Sequence, residues 1–176
     1  MRSHLYLSGI KHSGKTTMAA LIAGQLSLAW ADLDDLVAEL LVPGETVRSF
    51  YRERGQDAFQ ALEREALERL LASATDGMVI ALGGGACDND ELMERVRGSG
   101  TLVYLKVSEE VLLTRILRGG IPPFLDQDDP AGSFHILYKR RDECYSKMCD
   151  LLVELPDGLD ARGSSDLVLS RLAEEA

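Results

Sequence analysis

Residues Gly9–Thr16 read Gly-Ile-Lys-His-Ser-Gly-Lys-Thr. The spacing satisfies G-x-x-x-x-G-K-[ST], a glycine turn running into a helix. Such a turn aims backbone N–H groups and a helix N-terminus at one point, and so binds anions. The flanks agree with that reading: Leu5-Tyr6-Leu7 is a short apolar run of the kind that forms a buried strand, and Thr17 to Leu26 is an alanine-rich helical stretch. The expected anion is a nucleoside triphosphate seated on Gly9, Ser13, Gly14, Lys15, Thr16 and Thr17. Lys15 is placed on its outer phosphates and the Thr16 hydroxyl on Mg²⁺.

Outward from this motif, apolar runs alternate with helical patterns. The strands expected are His4–Ser8, Leu28–Ala31, Met78–Leu82, Thr101–Val107 and Leu151–Leu155. They are apolar throughout rather than alternating, which predicts strands buried on both faces. Helices are expected near Lys15–Leu26, Asp34–Leu41, Val47–Ser73, Asn89–Gly98, Glu109–Arg118, Phe134–Met148 and Ser165–Glu175, the last capped by Ser164 or Ser165. The pattern is that of an α/β fold, a five-stranded parallel sheet flanked by helices, in a single domain over 1–176.

Bulk properties narrow the function. The chain has 176 residues and 45% hydrophobic residues, enough for one domain with a core. Its net charge of -10 argues against a nucleic-acid partner. No basic cluster offsets that charge; Lys139-Arg140-Arg141 is the densest group, and acidic residues surround it. No run is apolar enough to span a bilayer, and no signal peptide is evident, so a cytoplasmic protein with no membrane partner is expected. Cys87, Cys144 and Cys149 lack metal or redox spacing and read as free thiols; His4, His12 and His135 are scattered. The expected oligomeric state is a monomer.

Four further features stand out. Asp32-Leu33-Asp34 follows the second strand, on the side of an open sheet where ligands bind. If the strand persists, alternation sends both carboxylates the same way. One is then suited to Mg²⁺ and the other to accepting a hydroxyl proton; helix capping by Asp34 or Asp35 is the competing role. Gly83-Gly84-Gly85 follows the third strand and allows close approach to the backbone. Gly119–Gly132, with Gly119-Gly120, Pro122-Pro123 and Asp126, Asp128 and Asp129, reads as a mobile lid or a surface insertion. Val42–Thr46, broken by Pro43-Gly44, also reads as mobile.

Taken together, these motifs resemble the shikimate kinase family. The resemblance runs from Leu5 to about Asp150. It rests on the phosphate loop, Asp32-x-Asp34, Gly55 with Phe59 and Glu63, Gly83-Gly84-Gly85, Pro123-Phe124-Leu125, and Arg141 ahead of Tyr145. It implies a nucleoside-monophosphate-kinase-like P-loop fold of three layers, with an acceptor-binding helical segment over about 34–73. It implies ATP and Mg²⁺, and phosphoryl transfer to the 3-hydroxyl of shikimate. By position it assigns Lys15 to the phosphates, Thr16 and Asp32 to Mg²⁺, and Asp34 to the acceptor hydroxyls. It assigns Gly83, Gly84, Gly85 and Arg141 to the acceptor, Arg141 on its carboxylate, and Arg115 to adenine.

Three positions depart from the family pattern. Gln60 stands where a second carboxylate-binding arginine is usual, a contact of roughly 1.5–3 kcal/mol. Pro122 stands where the lid carries an arginine; Arg118 is the nearest candidate to replace it. His12 stands where the loop usually has another glycine. Lys11, facing the acceptor pocket in the family, is a candidate to supply the charge Gln60 lacks. The resemblance also leaves open a kinase for another small acceptor and a nucleotide-binding regulator without catalysis.

Overall fold

Strand β1, His4–Ser8, runs through the centre of the sheet, with Tyr6 and Leu7 wholly buried on its two faces. The computed structural model describes residues 4–122 and 124–175. The other strands are β2 (Ala29–Asp32), β3 (Met78–Ala81), β4 (Gly100–Lys106) and β5 (Leu151–Glu154). They pair in the order β2-β3-β1-β4-β5, every pair parallel, with Tyr6 in register with Ile80 and Leu102.

Among the described residues seven α-helices cover the sheet: α1 (Lys15–Leu26), α2 (Leu33–Glu39), α3 (Val47–Ser73), α4 (Asp90–Ser99), α5 (Glu109–Gly119), α6 (Pro130–Met148) and α7 (Ala161–Glu174). On one face Leu5, Leu7, Val79 and Val103 pack with Met18 and Ile22 of α1 and Val168 of α7. On the other, Tyr6, Ile80 and Leu102 pack with Leu33, Val37, Leu67 and Val96 from α2, α3 and α4. Successive strand residues therefore feed opposite cores, and the result is the expected three-layer α/β architecture.

Parallel pairing brings every strand's carboxyl end to one edge. β1 has β3 on one side and β4 on the other, so the chain's winding reverses across it and a crevice opens there. The glycine turn after β1, Asp32 at the end of β2 and the glycines after β3 all meet at that crevice.

Several boundaries differ from the sequence reading. β2 is an edge strand with Ala29 and Trp30 exposed, so it is not buried on both faces. Helix α2 begins at Leu33 and its cap is Asp32, neither Asp34 nor Asp35; the Asp32 side chain accepts the Asp34 N–H. Helix α7 begins at Ala161 under an Asp160 cap, and Ser164 and Ser165 are buried within it. Helix α6 begins at Pro130 under an Asp129 cap, so Gly132 is helical and the connecting segment ends earlier than expected. Within that segment Leu125 is buried and the Gln127 side-chain amide donates to the carbonyls of Pro122 and Leu125. Pro123 lies outside the described residues.

Candidate active site

The glycine turn is held open by its own backbone. Ser13 N–H donates to the Ile10 carbonyl at 3.1 Å, and Gly14, at φ 87°, turns the chain into α1. His12 adopts φ 68°, a left-handed conformation uncommon for a residue with a side chain. Its carbonyl accepts Arg115 Nη1 at 2.8 Å. Lys15 is the first residue of α1, and its ammonium lies beneath the turn, donating to the carbonyls of Gly9 (2.9 Å) and Ile10 (3.3 Å). Burial pulls its pKa down to about 8, opposed by Asp34 and Asp32. An ammonium so poorly solvated gains strongly from an arriving phosphate.

Thr16 and Asp32 face each other: the Thr16 hydroxyl donates to Asp32 Oδ2. Asp32 Oδ1 accepts the Asp34 N–H at 2.9 Å. The two acids are thus brought together by a helix cap, not by strand alternation, because β2 ends at Asp32. Asp34 opens onto the crevice, yet enough protein surrounds it that burial raises its pKa. Asp32 adds to that rise, and Lys15 and Lys11 oppose it. A hydroxyl beside a carboxylate is a hard oxygen donor pair that suits Mg²⁺, which usually takes few protein ligands and the rest from phosphate and water. Among the described residues no cluster of three His, Cys, Asp or Glu side chains forms a metal cage.

Each of the three glycines makes room for a different part of the site. A β-carbon on Gly83 would stand 2.7 Å from Asp34 Oδ1, one on Gly84 2.9 Å from the Lys11 backbone nitrogen, and one on Gly85 2.9 Å from Arg141 Nη2. The Tyr145 hydroxyl braces this loop, 3.3 Å from the carbonyls of Gly83 and Gly84. Tyr145 is itself fully buried and stacked on Tyr104. Arg141 and Tyr145 are spaced i, i+4 on α6, so one helix face presents both.

Three clefts lie end to end. The first is lined by Ser13, Gly14, Thr17 and Arg115, with Pro156 and Asp157 opposite. The second contains Gly14, Lys15, Thr16, Thr17, Asp32 and Asp34. The third contains Gln60, Glu63, Gly83 to Gly85, Arg140 and Arg141. The first and second share Gly14 and Thr17; the second and third share Lys11, Asp34 and Gly84. Asp34 therefore stands where the second cleft opens into the third.

The sequence reading placed most of these residues together. Three side chains singled out by the departures from the family pattern have surroundings of their own. Arg118 is exposed in the last turn of α5 and lines none of these clefts. The Gln60 amide is committed to the Asp88 carbonyl at 2.6 Å. Lys11 lines the third cleft as expected, with its ammonium over the Phe124 ring, 5.7 Å from its centre. The reading missed Asp88 and Arg140, which meet at 3.0 Å in the third cleft. Arg140 was visible only as one of three consecutive basic residues, and Asp88 carried no signal at all. Glu63, buried and accepting from the Asn89 amide at 3.0 Å, has its pKa raised by burial to about 7.

Fold and site define a P-loop kinase of the α/β class, with a phosphate-binding turn opening into a separate acceptor pocket. A family model for shikimate kinase matches residues 11–168, and the chain belongs to the shikimate kinase family, phosphotransferases with an alcohol group as acceptor. A shikimate kinase of Chlorobaculum tepidum is 36% identical over 73% of this chain, although the match spans only 66% of that relative's length, just under two thirds. A shikimate kinase of a Synechococcus strain is 32% identical over 97% of this chain and 84% of its own. Among solved structures, a shikimate kinase from Acinetobacter baumannii in complex with shikimate superposes with a TM-score of 0.86 at 26% identity, covering 98% of this chain and 94% of that one.

Proposed function

We propose that this protein transfers the γ-phosphoryl group of ATP to the 3-hydroxyl of shikimate, yielding shikimate 3-phosphate and ADP. The observation that carries the reading is the position of Asp34 at the junction of the Lys15 cleft and the Arg141 cleft. Only an arrangement of this kind brings a hydroxyl and a terminal phosphate to the same carboxylate. The relative solved with shikimate supports the choice of acceptor.

In this reading the base lies against Arg115 and the triphosphate on the turn, with Lys15 balancing its charge. Thr16 and Asp32 would hold Mg²⁺, which when bound neutralises charge on the β- and γ-phosphates. Arg141 anchors the acceptor carboxylate in a bidentate grip. Asp34 hydrogen-bonds the acceptor hydroxyl and takes its proton as the oxygen attacks phosphorus; the bond to the ADP oxygen breaks in line. The segment between α5 and α6 closes over the site and excludes water. Such an enzyme works as a cytoplasmic monomer on small molecules, with no nucleic-acid or membrane partner. Among the described residues no helix is long and apolar enough to cross a membrane.

The test is ADP release measured with and without shikimate, with product identified by mass. Shikimate-dependent release of one ADP per phosphorylated acceptor is expected. ATP binding with no stimulation by shikimate overturns the proposal.

A further inference from the structure

The third cleft holds two guanidinium groups. Leu137, Arg140 and Arg141 all line it and are spaced i, i+3 and i+4, so one face of α6 delivers all three. Arg140 Nη2 and Arg141 Nη2 lie 3.0 and 3.1 Å from the same atom, Asp88 Oδ2. One carboxylate oxygen thus bridges both arginines, which shows that their forks converge closely enough to hold a single carboxylate.

Donors remain after that contact. An arginine has five N–H groups, and each of these spends one on Asp88. Arg141 Nε is buried with no hydrogen-bond partner among the described residues. A buried charged donor left unmatched is costly, so Arg141 retains unspent hydrogen-bonding capacity beyond Asp88. Two other polar side chains of the pocket have contacts of their own. Gln60 is uncharged and its amide is tied to the Asp88 backbone. Lys11 rests over Phe124.

We infer that Arg140 is the second cation on the acceptor carboxylate, acting with Arg141 as a paired clamp that Asp88 keeps aligned in the free enzyme. This deepens the proposed function and rests on it for the identity of the acceptor. The Gln60 side chain anchors the Asp88 turn and makes no charged contact with the acceptor. Arg140 determines affinity for a carboxylate-bearing acceptor and takes no part in the chemical step.

The experiment is calorimetric binding of shikimate and of its uncharged methyl ester to the wild-type chain, Arg140→Ala, Arg140→Lys and Lys11→Ala, with ATP turnover measured in parallel. Arg140→Ala weakens shikimate binding by about ten- to a hundredfold, the size of a charge-assisted contact. It changes ester binding less than about threefold, and Arg140→Lys recovers part of the loss. Unchanged shikimate binding in Arg140→Ala, an equal loss for the ester, or a loss confined to Lys11→Ala overturns the clamp. A wild-type chain that binds shikimate through Arg140 but turns over no ATP refutes the activity and leaves the clamp standing. A wild-type chain that does not bind shikimate at all refutes both.

Discussion

Asp34 Oδ1 stands 2.7 Å from the place a β-carbon on Gly83 would occupy. The glycine and the acid form one device: the backbone must come this close for the carboxylate to sit at the mouth of the acceptor pocket. The neighbour is the carboxylate of a short side chain whose own backbone N–H is held by Asp32, not the free end of a long side chain, so it cannot swing away without leaving its post. Gly83→Ala is expected to lower kcat/KM for the acceptor by about a hundredfold, the effect of displacing a reacting group by an ångström. Steady-state kinetics beside a thermal melt tests this; a variant that melts like the wild type yet keeps full activity would contradict it.

Asp34→Asn is expected to lower kcat by about 10²–10⁴ while ATP still binds, because the base is lost and the phosphate turn is not. The pH profile carries a second signature. Burial and Asp32 raise the Asp34 pKa, and the carboxyl must be ionised to accept a proton. Activity therefore falls as pH falls through that raised value, nearer neutrality than for an ordinary aspartate. The acid limb belongs to Asp34, so the residual activity of Asp34→Asn should lack it.

Lys15 supplies a prediction at the other end of the pH range. Its ammonium is held down to about 8 by burial in the free protein. A bound triphosphate favours the charged form and raises that value again. ATP binding at pH above about 8 is therefore accompanied by proton uptake, and affinity falls as pH rises further. Calorimetry in buffers of different ionisation enthalpy reads the uptake directly. Lys15→Arg stays charged throughout, so the uptake should vanish in that variant.

How legible all this was depended on whether chemistry was local. Helix α1 was placed at Lys15–Leu26 because the glycine motif sets its start and the helical pattern runs out at its end. Strands β1, β3 and β4 stand out because a doubly covered strand is largely apolar, whereas β5, at the sheet edge with Glu154 exposed, is marked only by its short apolar run. The pairing of Asp32 and Asp34 was legible but for the wrong reason, since a cap and not alternation joins them. The start of α7 was misplaced because both serines and Asp160 have capping chemistry, and only tertiary packing chooses among them. Arg140 was hidden because three consecutive basic residues give no indication of which side chains reach the cleft. That choice is made by Asp88, distant in sequence and close in space.

Glu63 links the acceptor pocket to stability. It is buried beside Asn89, and burial lifts its pKa from 4.5 to about 7, with Asp34 and Asp88 adding to the rise. A carboxyl raised in the folded state binds more protons there than in the unfolded chain. Stability therefore declines as pH rises from about 4.5 to about 7 and gains nothing from this group above that. Glu63→Gln keeps an acceptor for Asn89 and removes the buried charge. At pH 8 it should be more stable than the wild type, by on the order of 2–3 kcal/mol, and at pH 4 the difference should close. Urea unfolding at both values decides it; a gain equal at both would place the effect elsewhere.

Helix α3 changes direction at Gly55, where φ is 81° and ψ -176°. A side chain is strongly disfavoured in this region of backbone space, which is nearly exclusive to glycine. The kink separates the entry turn, capped reciprocally by Thr46 and Ser49, from the longer stretch that carries Phe59, Gln60 and Glu63 into the acceptor pocket. No atom outside the neighbouring residues lies within 4 Å of a β-carbon at this position, so any penalty comes from the backbone and not from crowding. Gly55→Ala is expected to cost about 1–3 kcal/mol. If the helix straightens to relieve the strain, Tyr51 and Val47 shift relative to Gln60, and the acceptor KM rises while the ATP KM holds. Gly55→Asn tolerates positive φ only in the left-handed helical region, so at ψ -176° it should lose about as much. A Gly55→Ala variant that keeps full stability and both KM values would show that the position does not depend on backbone conformation.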